Sequence, residues 1–189
     1  MVTVKIKDNF IDKTLFKELN KTLTDFKEVK FHEKSFWVIM PSREFIEYIT
    51  IKISLLENKK IENILCFFRE AKSNQDNDWG IHNDSIIDGQ QPDRAAVIYM
   101  SENKELDLNG TAFWIHKTKG YSFNDKTPES FDKLLKEDCN DVSKWKLNSV
   151  VGHMPNRIVT YPCNYFHSKY PKEFNNSRIV FVMFYKIIK

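Results

Sequence analysis

The sequence predicts a mainly β protein in which supporting α-helices pack on an antiparallel sandwich or barrel. Helical periodicity is concentrated in residues 1–60, whereas the later part of the chain shows short apolar runs separated by turn-rich segments. The chain has 189 residues, of which 41% are hydrophobic. This is enough for a single domain, residues 1–189, with its own core.

The N-terminal part contains one predicted strand and two predicted helices. Residues 2–6 alternate between apolar and polar side chains, which favours a strand. Asp12 can cap a helix whose apolar face carries Leu15, Phe16, Leu19 and Leu23. Pro41-Ser42 opens a second helical pattern with the apolar face Phe45, Ile46, Ile49, Ile53 and Leu56. We interpret residues 1–60 mainly as supporting helices for a strand-rich core of residues 61–189.

Five compact apolar runs in this core are predicted to be strands, namely residues 64–68, 94–100, 110–115, 157–161 and 178–188. Between the third and the fourth run, Thr127-Pro128-Glu129 supplies a cap residue, a first-turn proline and a first-turn acid, in the order typical of a helix start. That helix would direct Phe131, Leu134 and Leu135 toward the core.

Charge and cysteine content argue against several classes of protein. With 29 basic and 26 acidic residues the formal net charge is +3, and no basic cluster suggests a nucleic-acid partner. Cys66, Cys139 and Cys163 are odd in number and widely spaced, unlike a disulfide framework or a structural zinc site. The N-terminus lacks a secretory signal, and residues 179–185, the longest apolar run, are too few to span a bilayer as a helix. We expect a soluble, cytoplasmic protein without a membrane partner.

The segment with the clearest chemistry is Trp79-Gly80-Ile81-His82-Asn83-Asp84-Ser85. Residues two apart on a strand point to the same face, so the imidazole of His82 and the carboxylate of Asp84 can converge on one cation. Because H-x-D occurs often by chance, the pair alone is better explained as a hydrogen-bonded His–Asp pair at the end of a strand.

A second segment favours a metal site over that explanation. Residues 162–168 follow a predicted strand and contain His167, and Arg178 opens the last strand eleven positions later. Two histidines and one carboxylate form the facial triad of non-haem iron(II) sites, which leaves coordination positions open. Those positions suit a bidentate 2-oxo acid plus dioxygen, and the planar fork of an arginine suits the second carboxylate of 2-oxoglutarate.

The order of these features resembles the 2-oxoglutarate/iron(II) oxygenase superfamily. The chain shows H-x-D at His82 and Asp84, a strand ending in Tyr99-Met100, a G-T-x-F strand from Gly110, then His167 and Arg178. The likeness covers residues 64–185 and is greatest to the prolyl-hydroxylase-like branch and its small, uncharacterised phage and marine bacterial relatives. The likeness to phage relatives implies that the cytoplasm in which the protein acts could be that of a phage-infected host. Asn109 stands where related sequences often carry the first of two glycines.

The resemblance implies a double-stranded β-helix, or jelly roll, for residues 61–189. It also implies that His82, Asp84 and His167 are the iron(II) ligands and the catalytic centre. By the same resemblance, Arg178 pairs with the distal carboxylate of 2-oxoglutarate, and the hydroxyl of Tyr99 helps to hold that carboxylate. The ordinary alternatives are a strand-edge arginine paired with a surface acid and a tyrosine of the core.

The implied activity is hydroxylation of a C–H bond by dioxygen, coupled to oxidative decarboxylation of 2-oxoglutarate to succinate and carbon dioxide, with ascorbate in support. Family analogy favours a peptide or prolyl substrate over amino-acid-like and other small molecules, and the sequence does not indicate an oligomeric state. Two other functions stay open: a cupin-like metalloprotein that does not use 2-oxoglutarate, and a non-catalytic jelly-roll binding module. His116 and His153 lie outside the motif and are expected to be surface or hydrogen-bonded histidines.

Overall fold

The structure, a computed structural model, describes residues 3–31, 34–72, 80–84, 87, 89–102, 109–123, 133–171 and 177–188. In these ranges the regular elements are β1 (Lys5–Lys7), α1 (Lys13–Thr22), β2 (Lys27–Phe31), β3 (Lys34–Ile39), α2 (Arg43–Glu57), β4 (Ile61–Ala71), β5 (Arg94–Tyr99), β6 (Gly110–His116), β7 (Trp145–Gly152), β8 (Ile158–Pro162), β9 (His167–Tyr170) and β10 (Arg178–Ile187). Two short helical turns, Leu134–Asp138 and Val142–Lys144, precede β7.

The strands form two antiparallel sheets. The larger sheet has the order β1-β8-β5-β10-β4-β3-β2, and the smaller sheet has the order β7-β6-β9. An antiparallel bridge between His82 and His167 continues the smaller sheet beyond β9. This arrangement confirms the prediction of a mainly β protein with antiparallel sheets and supporting helices.

Side-chain alternation along the strands creates two separate cores, one on each face of the larger sheet. On β10, Phe181 and Met183 pack with buried residues of α1 and α2. Val180 and Phe184 face the other way and pack with Phe113 of β6, between the two sheets. The helices therefore cover one face of the larger sheet and leave the other face to the inter-sheet core.

Both predicted helices form, with the predicted caps. The Asp12 carboxylate accepts hydrogen bonds from the backbone N–H groups of Thr14 and Leu15 and so caps α1. The Ser42 hydroxyl oxygen accepts from the N–H of Phe45 at the start of α2. Asn58 ends α2 in the left-handed conformation, with φ of 54°.

One buried polar network joins the end of α2 to the larger sheet. The side chain of Glu57 is 4% exposed, and its Oε1 lies 3.0 Å from Arg94 Nε. The same oxygen accepts hydrogen bonds from the hydroxyls of Tyr185 at 2.8 Å and Thr160 at 2.9 Å. Oε2 accepts from Lys5 Nζ at 2.6 Å. The network therefore ties α2 to β1, β5, β8 and β10.

Several elements differ from the sequence prediction. The hairpin of β2 and β3, together with β7 and β9, was not predicted, and β4 extends beyond the predicted residues 64–68 at both ends. Thr127, Pro128, Glu129 and Phe131, on which the predicted late helix depends, lie outside the described residues. Leu134 is buried in the helical turn that follows them. No helix in the described parts of the chain is long and apolar enough to cross a membrane.

Candidate metal centre

The structure brings His82, Asp84 and His167 together at one point. The nearest potential ligand atoms of the three side chains all lie within 4.8 Å of one another. The Asp84 carboxylate lies 3.7 Å from His82 Nε2 and 3.3 Å from His167 Nε2. The side chains are 16%, 11% and 8% exposed in chain order. Two imidazole nitrogens and one carboxylate at this spacing are a donor set suited to a divalent transition metal.

Hydrogen bonds to the backbone fix the orientation of both imidazoles. His82 Nδ1 lies 2.9 Å from the carbonyl oxygen of Gly80, and His167 Nδ1 lies 3.0 Å from that of Tyr165. A carbonyl oxygen can only accept, so each Nδ1 carries a proton, and in the neutral imidazole each Nε2 then presents a lone pair. This is the arrangement that orients metal-binding histidines in proteins.

The backbone also holds the two halves of the triad together. The N–H of His82 donates to the carbonyl of His167 at 3.0 Å, and the N–H of His167 donates back at 2.8 Å. The N–H of Asp84 donates to the carbonyl of Cys163 at 2.8 Å. Because residues 82–84 pair with the chain that leads into β9, ligands far apart in sequence meet without depending on flexible side chains.

Gly80 lies where another chain segment approaches closely. A Cβ at this position would collide with the carbonyl oxygen of Cys139, whereas a Cβ at Gly152 would have no heavy atom within 4 Å. We therefore expect Gly80→Ala to displace the carbonyl that orients His82. Manganese(II) affinity, measured by calorimetry, should fall by about 10- to 100-fold, the usual effect of losing such a supporting contact. Gly152→Ala is the matched control and should bind like the wild type; equal affinities for all three proteins would contradict the assigned role of Gly80.

Arg178, the first residue of β10, is 4% exposed. Its guanidinium carbon lies 5.4 Å from the ring centroid of Tyr99. Alternation along β10 places Arg178 on the same face as Val180 and Phe184, so it belongs to the inter-sheet side of the larger sheet. The alternative of a surface arginine at the strand edge does not fit this burial.

The hydroxyl of Tyr99 contacts both sheets. It lies 2.9 Å from Thr111 Oγ1 and 3.1 Å from the carbonyl oxygen of Val151. Burial raises the pKa of Tyr99, while the positive charge of Arg178 and the contact with Thr111 oppose that rise. Tyr99 thus joins β5 of the larger sheet to β6 and β7 of the smaller sheet. Its predicted contact with 2-oxoglutarate stays a prediction.

His116 and His153 form hydrogen bonds away from the triad, as predicted. His116 Nε2 lies 3.1 Å from Asp138 Oδ2, and the backbone N–H groups of Thr118 and Lys119 donate to its Nδ1. His153 Nε2 lies 2.9 Å from the carbonyl oxygen of Ser101. Neither belongs to the group of ligand-type residues that meets at the triad.

Two residues near the centre, Gly80 and Tyr161, carry no functional signal in the sequence pattern. The backbone carbonyl of Gly80 accepts the hydrogen bond that orients the His82 imidazole. The only feature of the sequence that relates to this role is the position of Gly80 two residues before His82. Tyr161 lies with its ring centroid 4.7 Å from that of His167. The available signal for Tyr161 was alternation along the predicted strand of residues 157–161, which fixes its face but not its neighbours.

The sequence matches no family model, and no curated protein matches it. Among solved structures, HygX from Streptomyces hygroscopicus, with nickel, 2-oxoglutarate and hygromycin B bound, is 11% identical, with a TM-score of 0.61 over 98% of this chain and 83% of that chain. The non-haem α-ketoglutarate-dependent epimerase SnoN from nogalamycin biosynthesis is 9% identical, with a TM-score of 0.65 and coverage of 98% and 79%. A prolyl-4-hydroxylase from Pseudomonas putida is 11% identical, with a TM-score of 0.54 and coverage of 100% and 95%.

At identities near 10% these matches establish the fold. The chain has the jelly-roll fold of 2-oxoglutarate-dependent enzymes, which confirms the predicted fold class and, at the level of fold, the resemblance to that superfamily. The prolyl-hydroxylase-like branch with its phage relatives stays a prediction, because the matching structures include an epimerase as well as a hydroxylase.

Proposed function

We propose that this chain is a non-haem iron(II) dioxygenase that uses 2-oxoglutarate as co-substrate. The observation that carries the proposal is the triad itself: His82, Asp84 and His167 converge with their ligand atoms within 4.8 Å of one another, in a fold shared with 2-oxoglutarate-dependent enzymes. The fixed Nδ1 protons leave both Nε2 atoms ready to bind a metal without further rearrangement of tautomers. Arg178 adds a buried cation on the inter-sheet side.

The residues of the chain would supply binding, orientation and shielding from water. His82, Asp84 and His167 would hold iron(II) on one side and leave its other positions open. Arg178 would bind the distal carboxylate of 2-oxoglutarate, since a guanidinium forms two parallel hydrogen bonds to a carboxylate. Bound iron and 2-oxoglutarate supply the activation of dioxygen and the release of succinate and carbon dioxide. Burial of the inter-sheet residues limits the access of water to that chemistry.

The proposed reaction is hydroxylation of a C–H bond in a peptide, prolyl or amino-acid-like substrate, with ascorbate maintaining the iron(II) state. The matched structures hold small molecules, hygromycin B in HygX and a nogalamycin in SnoN, so a small-molecule substrate belongs in the same assay. A panel should therefore include proline-containing peptides, free amino acids and small molecules such as hygromycin B.

Arg178 separates this proposal from a cupin-like metalloprotein that does not use 2-oxoglutarate. We expect Arg178→Ala to weaken 2-oxoglutarate binding to the manganese(II)-loaded protein by roughly 30-fold, because a hydrogen bond to a charged group contributes about 2 kcal/mol. Calorimetry without dioxygen measures this affinity directly. Arg43→Ala is the control, since Arg43 is an exposed arginine on α2 paired with Glu47.

The wild type supplies the other half of the test. With iron(II), ascorbate and 2-oxoglutarate it should form succinate, and Arg178→Ala should form it only at much higher 2-oxoglutarate concentrations. Wild-type protein that binds metal but not 2-oxoglutarate would favour the cupin-like alternative. Wild-type protein that binds neither would favour a non-catalytic binding module.

A further inference from the structure

We propose that Arg69 is a specificity residue of this centre and that the substrate carries a carboxylate, which Arg69 binds on an open apolar face beside the inter-sheet core. The inference rests on the proposed function and names the class of substrate that the same site would accept. Arg69 lies on β4, a strand that contributes neither a triad ligand nor Arg178.

The inter-sheet side of the larger sheet becomes more exposed from β5 toward the edge of the sheet at β2. Tyr99 of β5 is fully buried, and Val180, its partner on β10, is 8% exposed. Arg69, the partner of Val180 on β4, is half-buried, and so is Val38, the partner of Arg69 on β3. Burial therefore decreases across the sheet, and the space between the sheets opens over β4 and β3.

Half-buried apolar side chains lie beside Arg69 on this side of the sheet. Strand alternation places Leu65 and Phe67 on the same face of β4, and both pack against the inter-sheet core. Phe36 of β3 contacts Arg69 directly. We call the surface formed by Leu65, Phe67, Arg69, Phe36 and Val38 the open face. An apolar surface with one cation suits a ligand that has an apolar body and one anionic group.

Arg69 and Arg178 direct their guanidinium groups in opposite directions. The guanidinium carbon of Arg178 lies 5.4 Å from the ring centroid of Tyr99 on β5. That of Arg69 lies 4.8 Å from the ring centroid of Phe36 on β3. Because β10 and β4 are neighbours and lie between β5 and β3, the two cations point away from each other. They therefore suit two different anions, and in the proposed function Arg178 already binds 2-oxoglutarate.

The charges on the strands around Arg69 favour an anionic ligand on the open face. The acids nearest to Arg69 on β2, β3 and β4 are Glu70 and Glu28, which share a row with Trp37. Alternation directs this row toward the opposite, helix-covered face. A guanidinium stacked on an aromatic ring keeps its N–H groups in the plane of its fork, where a carboxylate accepts two of them. One guanidinium balances the single charge of a carboxylate, whereas a phosphate monoester carries about two negative charges.

The test measures how small acids bind near the metal in protein loaded with manganese(II) and 2-oxoglutarate, without dioxygen. Manganese(II) is paramagnetic, so it broadens the NMR signals of a compound that binds beside it. Two matched pairs are titrated: N-acetylproline with N-acetylprolinamide, and acetyl-Ala-Glu-Ala-amide with acetyl-Ala-Gln-Ala-amide. We expect the wild type to bind the acid of one pair at least about tenfold more tightly than its amide. Preference in the first pair indicates a small free acid, and preference in the second indicates an acidic peptide.

Three variants assign the preference to Arg69. Arg69→Met keeps an apolar side chain of adaptable shape and removes the fork, so acid and amide should bind equally. Arg69→Gln serves the same purpose if Arg69→Met does not fold. Arg43→Met is the control, since Arg43 is an exposed arginine on α2, and it should keep the wild-type preference. Calorimetry should give the same manganese(II) and 2-oxoglutarate affinities for the wild type and all the variants.

The outcomes separate this assignment from the proposed function. A preference for the acid that persists in Arg69→Met would overturn the assignment, and so would a wild type that binds acid and amide equally or binds none of the four compounds. A lower 2-oxoglutarate affinity in Arg69→Met would also overturn it, because Arg69 would then serve the co-substrate. In each of these cases the wild type still binds 2-oxoglutarate and the proposed function stands. Absence of 2-oxoglutarate binding to the metal-loaded wild type would overturn both.

Discussion

Replacing His167 with alanine should weaken iron(II) binding by more than ~100-fold, beyond the usual effect of losing only a supporting contact. The variant keeps the sheet, because the bridge to His82 is made by backbone atoms. It loses the imidazole nitrogen that lies 3.3 Å from Asp84 Oδ2. Two remaining ligands cannot define a facial triad, so succinate formation should disappear with the metal. Equilibrium binding of manganese(II) and succinate release measure the two effects separately.

The chain contains a matched control for this substitution. His116 and Asp138 form a second buried His–Asp pair, with Nε2 and Oδ2 3.1 Å apart, and neither side chain belongs to the triad. We expect His116→Gln to lower the melting temperature while metal affinity stays near that of the wild type. Tight metal binding by His167→Ala would show that the metal site lies elsewhere. An equal loss of metal affinity in His167→Ala and His116→Gln would show that the loss reflects misfolding.

Replacing Glu57 with alanine should destabilise the protein by about 3–5 kcal/mol, the usual effect of removing one partner from a buried ion pair. Arg94, 4% exposed, would lose its carboxylate partner, and the hydroxyls of Tyr185 and Thr160 would lose their acceptor. Urea denaturation at neutral pH measures the change in the free energy of unfolding. Glu62→Ala, at an exposed position of β4, should change it by less than about 0.5 kcal/mol.

The contribution of Glu57 should also depend on pH. Burial by itself raises the pKa of Glu57, but hydrogen bonds from Lys5 and Tyr185 and the charge of Arg94 bring it below the ordinary value of 4.5. The folded protein therefore holds this proton less tightly than the unfolded chain. The stabilisation is fully present above that ordinary value and is lost as the pH falls through the lower folded pKa. The gap between wild type and Glu57→Ala should narrow in acid; a constant gap would contradict an ionic role for Glu57.

The sequence predicted the elements whose pattern is local. The caps Asp12 and Ser42 mark the starts of α1 and α2, and the apolar runs mark β5, β6, β8 and β10, because these strands are buried. The hairpin of β2 and β3 was not predicted because it lies at the edge of the sheet and its described side chains are at most half-buried. Such strands lack the compact apolar run by which buried strands are identified in a sequence. β7 was not predicted for the same reason, since its residues 146–150 are exposed.

The candidate site was predicted in part. The H-x-D spacing places His82 and Asp84 on one face, but no local pattern states that His167 meets them; the family resemblance supplied that partner. The structure gives the physical reason, which is the backbone bridge between His82 and His167. The close approach of Cys139 to Gly80 and the packing of the Tyr161 ring on His167 depend on contacts between distant segments, so no local pattern in the sequence predicts them.

A crystal structure of the wild-type protein with manganese(II) and 2-oxoglutarate tests the central claim most directly. We expect anomalous scattering to locate one metal ion bound by Nε2 of His82, a carboxylate oxygen of Asp84 and Nε2 of His167. The co-substrate should chelate that ion and extend its far carboxylate to Arg178. A metal ion bound without His167, or a co-substrate held elsewhere, would contradict the account.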